Sequence, residues 1–159
     1  MNEEIGFNLQ VLDSMKGLKK LNLEYNNNID PNGIKYLGSL KQLTDLNISC
    51  CYIGLTENLS YLTLLKALTH LDIASNNISA EGAKCIGEMK QLANLSIGSN
   101  DIGTEGAKYI GEMKQLKQLH IANNNIGPEG AKYISGLEQL TYLDICLNDI
   151  NEYGAKCIS

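Results

Sequence analysis

The sequence contains no arginine and no tryptophan, and all thirteen of its basic residues are lysines. The formal net charge is −5 at pH 7. Proteins that bind nucleic acid carry a basic patch, and arginine makes many of their contacts to phosphates and base edges. The composition therefore predicts that nucleic acid is not a partner.

Long hydrophobic runs are also missing, since no run approaches the roughly 18 to 20 residues that cross a bilayer. The first ten residues, MNEEIGFNLQ, are acidic at the start and lack the basic-then-apolar pattern of a signal peptide. We therefore predict no membrane insertion and no Sec signal.

Cysteine is present in an odd number and without CxxC spacing. This favours a cytoplasmic or otherwise reducing compartment, with the thiols acting as small packing residues. No His/Glu metal motif, glycine-rich phosphate loop or GxSxG motif occurs, so we predict no metal and no cofactor. The five cysteines are Cys50, Cys51, Cys85, Cys146 and Cys157.

What the sequence has in quantity is one repeated unit, of which Leu116–Gln139, LKQLHIANNNIGPEGAKYISGLEQ, is a clear copy. Successive copies are spaced by 25, 25, 24, 24 and 24 residues. A fixed period of this size is typical of a solenoid, whose units bury their apolar faces against one another. The copies open at Leu18, Leu43, Leu68, Leu92, Leu116 and Leu140.

Within a unit the hydrophobic spacing changes from that of a strand to that of a helix. Leu119 and Ile121 alternate with polar residues, whereas Ala131, Ile134 and Leu137 recur at three-residue steps. The only prolines, Pro31 and Pro128, fall at the first position of predicted helices. An asparagine recurs in the turn between strand and helix, and we predict that it satisfies buried backbone groups of adjacent coils. These residues are Asn26, Asn76, Asn100, Asn124 and Asn148, with Cys51 in the same position of the second unit.

The organisation predicted from this pattern is a single domain spanning residues 1–159. Residues 1–17 match the helical half of a repeat, with Leu9, Leu12 and Met15 on one helical face, and would form an N-terminal cap. The sixth unit stops inside its helix at Ser159 without a C-terminal cap. We expect either a fragment of a longer array or an end that contacts a partner or another copy.

The LxxLxI…N…IG..GA..I pattern resembles that of leucine-rich repeat proteins over nearly the whole chain. Repeats three to six are similar to the short 24-residue, Gly-Ala-containing class found in bacterial effectors, whereas repeat two departs from it at Cys51 and at Asn58 and Leu59. The resemblance implies an α/β solenoid, a curved right-handed superhelix with parallel strands on the concave face and short helices on the convex face. It also implies protein binding on the concave face.

Candidate binding residues are those that flank the buried strand positions, because their side chains point out of the sheet. The repeats nearly copy one another elsewhere but vary here, and we expected these positions to have no structural role. Exposed aromatic and apolar groups would anchor a partner, and the acidic groups would favour a basic one. The predicted protein-binding set is Glu24, Tyr25, Asp45, Asn47, His70, Asp72, Asn94, Ser96, Gln118, His120, Tyr142, Asp144 and Leu147.

Two histidines in this set are expected to face carboxylates, since adjacent strands lie about 4.8 Å apart. Asp45 would neighbour His70 and Asp144 would neighbour His120, which predicts pH-sensitive binding. Cys146 and His120 would lie roughly 8 Å apart by strand geometry. A nucleophile and its base must approach to about 3 Å, so we predict that the protein is not an enzyme.

The function predicted from the sequence is non-catalytic protein–protein recognition. The resemblance to effectors implies a partner that is a host protein or another effector enzyme, which the module would inhibit by covering its active site. An effector of this kind would be delivered into the host cell without a Sec signal. Two alternatives stay open at this point: the substrate-recognition fragment of a larger enzyme such as a ubiquitin ligase, and a self-assembling structural repeat protein.

Overall fold

The structure, a computed structural model, describes residues 9–27, 29–30, 33–53 and 56–158. Six strands form one parallel sheet in chain order. Each strand begins two residues after the leucine that opens its repeat. The predicted α/β solenoid is therefore confirmed. The strands are β1 (Lys20–Asn22), β2 (Asp45–Asn47), β3 (His70–Asp72), β4 (Asn94–Ser96), β5 (Gln118–His120) and β6 (Tyr142–Asp144).

One helix follows each strand, and the first two helices are shorter than the later ones. The first two are only four residues long, and a 3-10 helix at Ser60–Leu64 follows the second. Pro128 lies in the first turn of the fifth helix, as predicted, whereas Pro31 lies outside the described residues. The helices are α1 (Ile34–Leu37), α2 (Thr56–Leu59), α3 (Ala80–Gly87), α4 (Gly103–Ile110), α5 (Gly127–Ser135) and α6 (Glu152–Ile158).

The core lies between the sheet and the helices. The central leucine of each strand pairs in register with that of the next, for example Leu95 with Leu119, and both are almost fully buried. In α3 to α6 a Gly-Ala pair lies against the buried residues: a Cβ at Gly130 would lie 2.6 Å from Cβ of Ile126. Only glycine fits there without displacing the helix.

The N-terminal segment is described from Leu9 onward, so the first eight residues of the predicted cap lie outside the described part. Leu9–Ser14 forms a 3-10 helix that packs on α1. Leu9 and Leu12 are buried, as the predicted helical face requires. Met15 is 44% exposed, so placing it on the same buried face was wrong. The helix has tightened to three residues per turn and ends before Met15.

The turn asparagines form a ladder of hydrogen bonds through the interior, as predicted. The Asn124 amide donates to the carbonyl of Ile121 in its own repeat, at 3.1 Å, and to that of Ile97 in the preceding repeat, at 2.9 Å. The carbonyl oxygen of Asn148 accepts the backbone N–H of Asn124 at 2.8 Å. At Cys51 the ladder is reduced to a thiol that donates toward backbone carbonyls, at 3.1 Å for the nearer one.

Three residues after the end of each strand the backbone enters the left-handed region, with φ between 52° and 61° in all six repeats. The interstrand bonds continue through this position: the N–H of Tyr25, for example, donates to the carbonyl of Ser49 at 3.1 Å. The repeat stack therefore imposes this conformation whatever the side chain is. The residues are Tyr25, Cys50, Ser75, Ser99, Asn123 and Leu147.

Candidate functional site

The exposed side of the sheet forms an open groove of about 480 Å³ that crosses β1 to β5. The mid-strand leucines point into the core, so the flanking side chains form the surface that a ligand would meet. We call this surface the concave groove. Its lining residues are Lys20, Leu21, Asn22, Asp45, Leu46, Asn47, His70, Leu71, Asp72, Asn94, Leu95, Ser96, Gln118 and His120.

The structure brings most of the predicted set together in this groove. The members that line it are Asp45, Asn47, His70, Asp72, Asn94, Ser96, Gln118 and His120. Lys20 and Asn22 also line it, although they were not in the predicted set.

The other five predicted residues lie outside the lining. Tyr142 and Asp144 are on β6, one strand beyond it, while Glu24, Tyr25 and Leu147 lie in turns that follow strands. Tyr25 lines a separate pocket along those turns.

A small polar network occupies the first half of the groove, centred on Asp45. Lys20 Nζ lies 3.1 Å from Asp45 Oδ1, and His70 Nδ1 lies 4.0 Å from the same oxygen. The Thr44 hydroxyl donates to Asp45 Oδ2 at 2.6 Å. This hydroxyl, with help from Lys20, holds the pKa of the Asp45 carboxyl below its ordinary value. Asp45 is thus a fixed negative charge at neutral pH.

A second network lies where the groove meets β6. His120 Nδ1 is 3.8 Å from Asp144 Oδ2, and the His120 ring lies over Tyr142 with centroids 4.6 Å apart. A hydrogen bond from the Cys146 thiol lowers the pKa of Asp144. Both histidine–carboxylate neighbours expected from strand register are therefore present.

The last residues of several strands have a structural role that was not expected from the sequence. A side-chain oxygen of Asn22, Asn47, Asp72 and Asp144 accepts the backbone N–H two residues later, at 2.8, 3.0, 3.0 and 3.3 Å. These bonds hold the chain as it leaves β1, β2, β3 and β6, so the expectation of no structural role was wrong for these four residues. The signal was available, because Asn and Asp commonly make this local bond.

The chemistry around Cys146 does not favour a nucleophile. Its thiol donates to the Asp144 carboxylate, and this bond raises the pKa of Cys146. A reactive cysteine needs the opposite shift, because the thiolate is the nucleophile. In residues 9–27, 29–30, 33–53 and 56–158 there is no group of three His, Cys, Asp or Glu that could hold a metal ion. None of the helices in this part of the chain is long and apolar enough to cross a membrane.

Comparison with known proteins places these features in context. A family model described as "Leucine Rich repeat" matches residues 17–38, 66–87, 93–111 and 114–135, which together exceed half of the chain. No curated protein matches by sequence.

Several solved structures match in fold. An internalin of Listeria monocytogenes matches with a TM-score of 0.76 and 25% identity over 96% of this chain. A leucine-rich-repeat protein of Leptospira interrogans matches with a TM-score of 0.66 and 26% identity over 87% of it. Internalin C2 of Listeria monocytogenes, at 19% identity and a TM-score of 0.63 over 98% of this chain, shares the fold. The matched regions cover 48%, 34% and 74% of those three chains, respectively.

Proposed function

This chain belongs to the leucine-rich-repeat family, and we propose that it is a non-catalytic module that binds a protein partner in the concave groove. The observation that carries the proposal is the groove itself, in which side chains that differ from repeat to repeat share one continuous surface. Six strands at about 4.8 Å give a face of roughly 25 Å. A face of this length can support a standard interface of about 800 Å² per partner.

The charge of the groove favours a partner with basic character. Its lining holds Asp45 and Asp72 against Lys20, and Lys20 is already paired with Asp45, which leaves Asp72 uncompensated. An uncompensated acidic group at the surface of a cleft attracts opposite charge and speeds its approach. A partner that is a host protein or another effector enzyme fits the repeat class to which this chain is similar. Inhibition would then follow from covering the partner's active site.

The five free cysteines support a reducing compartment as the place of action, whether the cytoplasm of the cell that makes the protein or that of a host cell. Cys51 is buried, and desolvation raises its pKa. It behaves as a packing residue rather than a reactive thiol.

Affinity capture with matched variants tests the binding surface. His70→Ala with Gln118→Ala removes two exposed groove side chains whose backbone positions the sheet fixes. Lys108→Ala with Lys132→Ala is the control, on the exposed face of α4 and α5. We expect the groove variant to bind a captured partner at least about tenfold more weakly, the range of interface hot spots, and the control to bind normally.

Equal binding by the two folded variants would contradict the assignment to the groove. The intact mass of the partner, measured before and after incubation, tests the non-catalytic part of the proposal. A covalent change that requires the chain would overturn it.

Binding of a basic partner should also depend on pH. Histidine is the side chain whose charge ordinarily changes near neutral pH, and His70 and His120 both lie in the groove beside carboxylates. Affinity is therefore expected to fall between about pH 8 and pH 5.5. His70→Gln with His120→Gln should flatten the profile, and a flat profile in the unmodified protein would refute the dependence.

A further inference from the structure

A second surface runs along the edge of the sheet, where the chain leaves each strand for its helix. We call it the turn ridge and define it by residues 23–27, 48–53, 73–79, 97–102, 121–126 and 145–151. None of the thirteen lysines falls in these six segments, which contain the acidic Glu24, Asp101 and Asp149. The turn ridge therefore has a net negative charge, with no lysine and with one acidic residue in each of the first, fourth and sixth repeats, whereas lysines are frequent on the helical side of the molecule.

The first four repeats of the turn ridge enclose a pocket of about 430 Å³, which we call the tyrosine pocket. It shares no lining residue with the concave groove. Tyr25 and Tyr52 line it and are 72% and 65% exposed, among the most exposed large side chains of the described residues. The full lining is Tyr25, Asn27, Cys50, Tyr52, Ser75, Asn77 and Ser99.

Neither tyrosine suits the backbone that carries it. Tyr25 has φ 61° and Tyr52 has φ 56°, a region in which bulky side chains are rare and Asn is tolerated. The third repeat holds Ser75 and Asn77 at the matching positions. The rings are also too exposed to contribute to the core. Strained, exposed aromatic residues in place of small polar ones are explained by a contact with something outside the chain.

We propose that the tyrosine pocket binds an arginine side chain presented by a peptide segment of a partner protein. A guanidinium ion stacks on tyrosine faces and carries five N–H donors. The pocket offers two exposed rings and the side-chain oxygens of Asn27, Asn77 and Ser75 as acceptors. The lining has no positive group, and Glu24 adjoins Tyr25 in the chain. The pocket is complementary to a planar cation in its aromatic rings, its acceptors and its charge.

The test uses the full chain and the blocked peptide acetyl-Gly-Arg-Gly-amide, titrated and followed by NMR. Arginine methylene protons over a tyrosine ring should shift upfield. The chemical shifts of the two tyrosine rings should change with peptide concentration and level off as the site fills. The same peptide with norleucine or lysine in place of arginine measures the contributions of apolar contact and of charge alone. The variant Tyr25→Ser with Tyr52→Asn installs the residues of repeat three, so it should fold at least as well as the unmodified chain.

We expect this double variant to bind the arginine peptide about tenfold more weakly, which corresponds to the loss of a desolvated cation–π contact. Tyr142→Ser, on β6 beside the concave groove, should leave the binding unchanged. Undiminished binding by the double variant, equal binding of the norleucine or lysine peptide, or shifts centred on His70 and His120 would each overturn the proposal. The proposed function of the concave groove stands or falls separately, since its test variants leave the tyrosine pocket intact.

Discussion

Replacement of Asn124 by alanine is expected to lower the free energy of unfolding by about 3 kcal/mol. Asn124 is fully buried, and its amide donates to the carbonyls of Ile97, Ile121 and Ala122 at 2.9, 3.1 and 3.2 Å. Its carbonyl oxygen accepts the N–H of Ile102 at 3.5 Å. One side chain thus connects two consecutive repeats.

The magnitude follows from what each partner keeps after the substitution. The carbonyls of Ile97 and Ile121 each retain a second asparagine amide, from Asn100 at 2.9 Å and Asn148 at 2.9 Å. Each carbonyl therefore loses one hydrogen bond but keeps another partner. The loss of the bonds made by the two amide hydrogens of Asn124 lowers the free energy of unfolding by about 1 kcal/mol for each hydrogen. The Ile102 N–H loses its side-chain acceptor in a buried site, which adds about 1 kcal/mol.

Urea denaturation followed by circular dichroism measures this difference, which should appear as a lower midpoint with an unchanged slope. A decrease of about 3 kcal/mol corresponds to a melting temperature lower by roughly 6 to 12 °C for a chain of this size. Asn94→Ala is the matched control, because Asn94 lies in β4 with one exposed side-chain bond to Gln118 at 2.8 Å. It should cost no more than about 0.5 kcal/mol. If Asn124→Ala costs no more than this control, the ladder does not stabilise the stack as argued.

Three further substitutions probe the turns and the thiols. Cys51→Asn should restore the missing ladder amide and raise the free energy of unfolding by about 1 kcal/mol. A lower free energy of unfolding in urea denaturation would show that position 51 no longer accommodates asparagine. Leu147→Asn should raise the free energy of unfolding by about 0.5 to 1 kcal/mol in the same assay, because Leu147 is 77% exposed at φ 53° and Asn tolerates that backbone better. A lower free energy of unfolding would mean that the leucine packs favourably. Asp144→Asn should lower the raised pKa of Cys146 and so increase its thiolate fraction. Iodoacetamide should then alkylate Cys146 faster near pH 8, and an unchanged rate would contradict the contact with Asp144.

The sequence predicted those parts of the fold that follow from periodicity. The alternation around Leu119 placed each strand, and the recurring asparagine identified the ladder, because both patterns repeat wherever the same burial repeats. The tightening of the first helix into a 3-10 helix was not predictable, since Leu9, Leu12 and Met15 fit either helical spacing until packing selects one.

The sequence predicted which residues of the candidate surface are neighbours across the strands, but not where that surface ends. Strand register brought Asp45 beside His70 because neighbouring parallel strands align one residue with one residue. The groove stops short of Tyr142 on the last strand. Tyr25 lies on the turn ridge instead, because the left-handed residue that follows each strand redirects the chain. Sequence spacing alone does not show that change of direction, so the tyrosine pocket was merged with the concave face.

The departures of the first two repeats from the regular repeat pattern lie near the tyrosine pocket. Cys51, where the ladder offers one thiol in place of an amide, lies between Cys50 and Tyr52, which both line that pocket. Asn26 N–H bonds locally to Leu23 at 3.3 Å, whereas Asn76 N–H reaches the next asparagine at 2.9 Å. The first two repeats also have the shortest helices. A ligand in the tyrosine pocket would therefore stabilise these repeats by binding only their folded form, which links recognition on the turn ridge to the order of the solenoid beneath it.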